Sequence, residues 1–377
     1  MGTSPHVSAP RTAALLAGLA ALLTACGASG NNVASHSPSP VPSSSTFARA
    51  SASPSSNPSP QPVTGAYGVL YGSQAASTYT VSIIGIDGTV IKSTDASTPP
   101  IVSCANAAGA PVSPPVSMSD SQVYFMDASG AVDVLSPTRG RAAAPITTLP
   151  SPTASRRSMF AVSPDDSMIA VIVNDYTASG ANTKLYVNQT ALGAQNLIFS
   201  ETGARTLWPI GWHGTNNLVL AVVPSCTQGG GPFCCGVQEL HVVDPATATR
   251  RFTLGGITSC PIVGSPSPAG VVCWDGANSR VLNWTAGVVR TYPVQGPEQQ
   301  LLSPNGSHVA LVDNTGTVIQ DSGKSIPNLF ACTWVDDSHV LAGGDPQHQP
   351  RLADVTSSSL APVAAQGDCA GRLPGGL

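Results

Sequence analysis

Charge is scarce in this chain. Only 10% of its 377 residues are Asp, Glu, Lys or Arg, against roughly 25% in ordinary soluble domains. Lys and Arg never cluster: Arg156-Arg157 and Arg250-Arg251 are isolated pairs, and the net charge is -4. The basic patch that nucleic acid demands is therefore missing, which argues against nucleic acid as a partner. The apolar run at residues 12–25, TAALLAGLAALLTA, falls short of the ~20 residues of a comfortable membrane span. Catalytic signatures are missing too. No Gly-x-Ser-x-Gly elbow occurs, and the nearest string, GSPSPAG at 264–270, is broken by prolines. No glycine-rich phosphate loop stands between a strand and a helix. The Cys226-x₇-Cys234-Cys235 cluster lacks the two-residue spacing of zinc knuckles. His308 and His339 share a repeat position, but no His-x₃-His pattern supports them as ligands. The sequence therefore assigns no catalytic residue, cofactor or metal.

What is there is turn-forming and apolar. The chain has 37 Gly, 34 Pro and 42% hydrophobic residues, which suits many short strands joined by tight turns. At the N-terminus, Arg11 and the run 12–25 have the form of a secretory signal. Leu23-Thr24-Ala25-Cys26 resembles the lipobox of bacterial lipoproteins. That resemblance implies removal of residues 1–25 and a diacylglyceryl group on Cys26, with the protein held by lipid on the extracytoplasmic side of the cell membrane. The alternative is an ordinary signal cut at the Ala-x-Ala-like end. One acyl chain binds a bilayer marginally and two bind firmly. Residues 26–64 are dominated by Ser, Pro and Ala, the composition of a disordered or polyproline-like linker. Extended, its length would reach ~110 Å; as a flexible coil, ~33 Å.

From residue 65 to residue 377 short β-branched runs alternate with polar turns. VSPDDSMIAVIV begins at Val162, LSPNGSHVALVD at Leu302 and WVDDSHVLAGG at Trp334. WHGTNNLVLAVV, from Trp212, keeps the register of the Trp334 copy, and VSMSDSQVYFMD, from Val116, fits more loosely. Each reads as a hairpin turn into a buried strand. A second hairpin usually follows, as in VSIIGIDGTVIKS (81–93) and ELHVVDPATATRRFTL (239–254). Four strands per unit in tandem predict an all-β, seven-bladed β-propeller at ~42 residues a blade, with blades starting near 65, 99, 142, 204, 256, 296 and 328. A pair of β-sandwiches is the alternative fold. SPDDSMIAVIV and SPNGSHVALV resemble the repeat of TolB-type (WD-like) bacterial propellers. The resemblance implies a fold and carries over no ligand. The first unit opens on what reads as a second strand, so GDCAGRLPGGL (367–377) is expected to supply the missing innermost one.

With Cys26 assigned to lipid, eight cysteines remain. An even count in an exported domain points to disulfides. Cys260 and Cys273 flank one hairpin and are expected to pair. Cys226 is expected to pair with Cys235 or its neighbour Cys234, and Cys332 with Cys369 at the ring closure. Cys104 and the spare member of Cys234/Cys235 are unassigned. Asp165, Asp166, Asp336 and Asp337 lie in repeat turns, where carboxylates bond backbone N–H groups. Trp212 and Trp334 are expected between blades. The long segments NDYTASGANTK (174–184) and PSCTQGGGPFCCGVQ (224–238) are expected as loops on the face that carries the interblade connections. Asp175, Tyr176 and Phe233 there make a binding face for a protein, peptide or glycan. The leading function is a non-catalytic binding or scaffold propeller. The alternative is a propeller enzyme of the envelope, such as a lyase, a hydrolase or a quinone-type dehydrogenase.

Overall fold

The structure is a computed structural model. It describes residues 60–72, 76–102, 115–225, 239–294, 299–344 and 348–377. Among them no helix is long and apolar enough to cross a membrane.

Turn chemistry sets the strand ends. In SPDDS, Ser163 Oγ donates to Asp165 Oδ1 (2.6 Å) and accepts from Met168 N (2.9 Å). In SPNGS, Ser303 Oγ and Asn305 do the same work for His308 N (3.0 Å) and Ser307 N (2.7 Å). The fourth position needs left-handed backbone: Gly306 has φ 76° and its counterpart Asp166 has φ 63°. Asp166 tolerates this as Asp can, and its carboxylate accepts from Ser121 Oγ and Tyr124 Oη, both at 2.6 Å.

These turns join antiparallel strands into seven sheets. Blade 1 holds β1 (Tyr67–Tyr71), β2 (Thr78–Gly85) and β3 (Val90–Ser97). Blade 2 holds β4 (Val116–Met118), β5 (Val123–Met126), β6 (Ala131–Ser136), β7 (Gly140–Arg141) and β8 (Thr147–Thr148). Blade 3 is β9 (Arg156–Val162), β10 (Met168–Thr177), β11 (Gly180–Gln189) and β12 (Leu197–Gly203). Blade 4 is β13 (Arg205–His213), β14 (Asn217–Pro224), β15 (Glu239–Val243) and β16 (Arg250–Gly255). Blade 5 has three strands, β17 (Val271–Trp274), β18 (Asn278–Leu282) and β19 (Val288–Pro293). Blade 6 is β20 (Gln299–Leu302), β21 (Val309–Asp313), β22 (Gly316–Ile319) and β23 (Lys324–Pro327). Blade 7 is β24 (Ala331–Trp334), β25 (His339–Ala342), β26 (Arg351–Asp354) and β27 (Leu360–Pro362). The last strand, β28 (Asp368–Leu373), returns to blade 1 and pairs antiparallel with β1, Tyr67 opposite Leu373. The fold is a seven-bladed β-propeller, closed by strand exchange between the two ends of the ring.

Two blade boundaries differ from the sequence expectation. Blade 2 begins at Val116 rather than near 99. Residues 142–155 belong largely to blade 2 rather than opening blade 3, because β8 pairs with β6 and Leu149 N donates to Gly130 O (2.8 Å). Proline and alanine dilute the apolar alternation there, so periodicity could not assign it. In blade 5 the innermost position is filled by a rudiment: Ile262 bridges Cys273, and Trp274 N donates to Pro261 O (3.0 Å).

The core lies between blades. Met159 and Ala161 of β9 pack with Trp208, Trp212 and Leu220 of blade 4, while their alternates Phe160 and Val162 pack with Tyr124 and Val134 of blade 2. Period-two alternation thus sends each strand's two faces to two different neighbours. Trp212 Nε1 donates back to Ala161 O and Trp334 Nε1 to Leu301 O, both at 3.0 Å, so the two tryptophans tie consecutive inner strands.

Candidate functional site

Cys26, Cys104, Cys226, Cys234, Cys235 and Phe233 lie outside the described residues. The other four cysteines form two bonds, Cys260–Cys273 within blade 5 and Cys332–Cys369 between β24 and β28. No group of three or more His, Cys, Asp or Glu among the described residues is arranged to hold a metal. His308 and His339 turn to separate carboxylates, with Asp336 only 2.9 Å from His339 Nδ1 and Asp321 3.8 Å from His308 Nδ1.

Two regions remain. One is a cavity of about 150 Å³ on the ring axis, lined by Met118, Ile210, Leu301, Trp334, Cys369 and Arg372 among others. Residues 374–377 close it on the side of the short turns. Gly375 N donates to Ser119 O (2.8 Å), Gly376 N to Asp120 Oδ1 (3.2 Å) and Leu377 N to Trp212 O (2.8 Å). Burial pushes the Asp120 carboxyl up, against the Gly376 hydrogen bond and the Arg372 charge.

The second region is the seam between blades 3 and 4 on the opposite, interblade face. Here the sequence expectation needs correction. Residues 174–184 are not an insertion loop: β10 runs to Thr177 and β11 starts at Gly180, so Ala178 and Ser179 alone form the tip. Asn174, Asp175 and Tyr176 are ladder residues opposite Thr183, Asn182 and Ala181. The run is polar although the strands continue: Asn174 and Thr183 are buried in the seam, and only Thr177, Ala178 and Ser179 are exposed. Asp175 receives Arg156 Nε at 2.6 Å. It is engaged in an ion pair across β9 and β10 rather than free at the surface.

Alternation then assembles the seam. Arg157 shares a face with Met159 and Ala161, and Asn174 and Tyr176 share one with Ile172 and Ala170; those four apolar partners all join the blade 3–4 core. β13 packs against β9, β10 and β11. Asn174 crosses the seam, its Nδ2 donating to Leu207 O (3.2 Å), while its Oδ1 accepts from Thr183 Oγ1 (2.7 Å). Arg157 is 4% exposed, and its guanidinium carbon sits 4.8 Å from the Trp208 ring centroid and 5.6 Å from that of Tyr176. Nothing accepts from its Nε or Nη2. The Tyr176 hydroxyl, the Trp208 indole N–H and Thr206 Oγ1 are likewise buried without a hydrogen-bond partner. Desolvation lowers the Arg157 pKa, with Tyr176 opposing, yet an arginine stays charged in proteins. Burial pushes the Tyr176 hydroxyl up, with the Arg157 charge and the neighbouring Asn174 side chain opposing.

Sequence reasoning found Tyr176 and missed Arg157, Thr206 and Trp208. The signal was present: Arg157 occupies the same parity as Met159 and Ala161 in RRSMFAV, so a charge was bound for an apolar face.

No family model matches the chain, and no curated protein matches it. Solved structures resemble it at low identity. The dihydro-heme d1 dehydrogenase NirN in complex with DHE shares 13% identity at TM-score 0.45, covering 83% of this chain and 75% of that one. Apo AztD from Citrobacter koseri shares 12% at TM-score 0.45, covering 83% and 100%. BamB from Moraxella catarrhalis shares 13% at TM-score 0.37, covering 83% and 84%. At such identities and scores these likenesses carry no functional argument.

Proposed function

We propose that this protein is a lipid-anchored, extracytoplasmic β-propeller that binds a protein, peptide or glycan on its interblade face and performs no chemistry of its own. One observation carries the binding surface: strand length. β10 and β11 have ten residues each, whereas β25 and β26 have four. At about 3.3 Å per residue that is ~33 Å against ~13 Å. The turn face of blade 3 opens at Met168, immediately after a repeat turn of ordinary size, so the excess length stands on the interblade face. Blade 4 continues it, since β14 runs eight residues to Pro224. A rigid hairpin flanking a seam presents contact area at little entropic cost.

The anchor rests on Leu23-Thr24-Ala25-Cys26 behind the apolar run. Cys26→Ser is expected to move the protein from the detergent phase to the aqueous phase and to abolish labelling by fatty acid; labelling of the Ser variant equal to wild type would overturn the anchor. For the surface, the native protein is used to capture partners from the envelope fraction. Thr177→Arg with Ala178→Arg, both exposed at the hairpin tip, is expected to abolish capture while leaving the thermal midpoint unchanged. Capture that survives this change and disappears on substitution of Asn305 and Ser307 would place the surface on the turn face instead.

A further inference from the structure

We infer that the seam between blades 3 and 4 is a carboxylate-binding site, in which Arg157 holds the ligand's two oxygens. A buried charge with its Nε and Nη2 left unpaired is among the most expensive features a fold can carry. Cation–π contact with Trp208 and Tyr176 offsets part of this but satisfies none of the N–H groups, which lie in the plane of the guanidinium.

The unmet atoms are chemically specific. Nε–H and one Nη2–H project from the same edge of the guanidinium, parallel to each other. That edge matches the spacing of two oxygens on one carbon or phosphorus. Among the described residues no carboxylate takes it; Asp175, on the strand next to β9, is held by Arg156. The remaining unpartnered groups in the seam, the Trp208 indole, the Tyr176 hydroxyl and Thr206 Oγ1, can all donate, and the indole can do nothing else. Arg157 and the indole can only donate, and no described acceptor reaches the Arg157 Nε and Nη2 or the indole N–H, so an acceptor from outside would meet them together.

Size selects the carboxylate. Arg157, Thr206 and Trp208 are each no more than 4% exposed, and Tyr176, half-buried, is the member nearest solvent. The planar two-oxygen group needs less room between the rings than a tetrahedral phosphate or sulfate. The carboxylate enters beside Tyr176, at the base of the β10–β11 hairpin. This deepens the binding proposal by naming what the interblade face recognises, and rests on it only for the side of entry. An anchor or capture experiment that fails leaves the titration below unaffected.

The experiment titrates the full-length protein in detergent with acetate and with succinate, at ionic strength held constant with chloride. Tryptophan fluorescence is the first readout, because Trp208 lies against Arg157, and the thermal midpoint is the second. Phosphate and sulfate are run in parallel. The expected result is a saturable fluorescence change and a raised midpoint with the carboxylates, and neither with phosphate or sulfate. Arg157→Lys, which keeps the charge but loses the two-donor edge, is expected to weaken binding at least about tenfold, or 1.4 kcal/mol. Trp208→Phe keeps an aromatic ring against the guanidinium and removes one donor. It is expected to weaken the midpoint shift less than Arg157→Lys does, which covers the case in which the Arg157 variant fails to fold. No saturable response of the wild type to either carboxylate would overturn the inference. So would equal responses to phosphate and sulfate, or a response unchanged in a folded Arg157→Lys protein.

Discussion

At the scale of single residues, the tryptophans show what a side chain must do in a ring of separate sheets. Trp334 fills the space between blades 6 and 7 and also donates to Leu301 O. Trp334→Phe keeps most of the apolar burial and strands that carbonyl. A loss of about 1–3 kcal/mol is expected in denaturant unfolding; an unchanged stability would mean the hydrogen bond contributes nothing. Tyr176 behaves in the opposite way. Its hydroxyl is buried and unpartnered, so Tyr176→Phe without ligand is expected to leave the thermal midpoint unchanged or raise it. Tyr176→Ala is expected to lower it, because the ring packs against Arg157. A large drop on Tyr176→Phe would show that the hydroxyl has a stabilising partner. The sequence revealed the turn carboxylates and the interblade tryptophans because both recur in register with the repeat. It concealed Arg157 because a charge beside a second arginine at the head of a strand is expected to face water, and parity alone had to be trusted against composition.

At the scale of elements, turns and blades carry different shares of the stability. Hydrogen bonds from the Thr315 hydroxyl and backbone lower the Asp313 pKa, and those from Thr356 and Ser357 do the same for Asp354. Asp87 and Asp275 are lowered alike by their own turns, through Thr89 and through the backbone of Ala277 and Asn278. Each carboxylate binds its proton less readily folded than unfolded. Its contribution is therefore fully present above the unfolded value of roughly 3.9 and is lost as pH falls through the folded one. The thermal midpoint is expected to hold down to about pH 5 and to fall below about pH 4. Asp354→Asn, which keeps an oxygen for the turn N–H groups, should shallow that acid limb. A limb of unaltered slope would remove Asp354 from the account. Blade 5, with its rudimentary inner strand, depends on Cys260–Cys273, which closes a sequence separation of 13. Cys260→Ala with Cys273→Ala is expected to cost up to about 3 kcal/mol, and non-reducing peptide mapping of the wild type should recover the two as one linked pair. Strand existence was legible nearly everywhere because alternation is strong. Blade boundaries near 99 and 142 were not, because the outermost strands of blade 2 are two residues each, too short to show a period.

At the scale of the whole molecule, the ring is held at one place by two independent ties, the β1–β28 ladder and the Cys332–Cys369 bond. A chain ending at Gly367 is expected to lose its cooperative thermal transition, and a wild-type transition in that variant would refute strand exchange as the closure. The exchange was legible because the first unit has one strand too few and the last segment has no sheet of its own. What no local pattern could disclose was that residues 374–377 then continue across the axis to Trp212. The closure also fixes an order of events. Tyr67 and Leu373 are partners, so among the first strands made, β1 waits for the last one made. Six blades can assemble from neighbouring segments as the chain emerges. The seventh joint must wait until the chain through Leu373 has left the ribosome, and the entropic cost of that wait grows only with the logarithm of the intervening length. Late locking of this kind leaves the ring open between blades 1 and 7 while the blades themselves form.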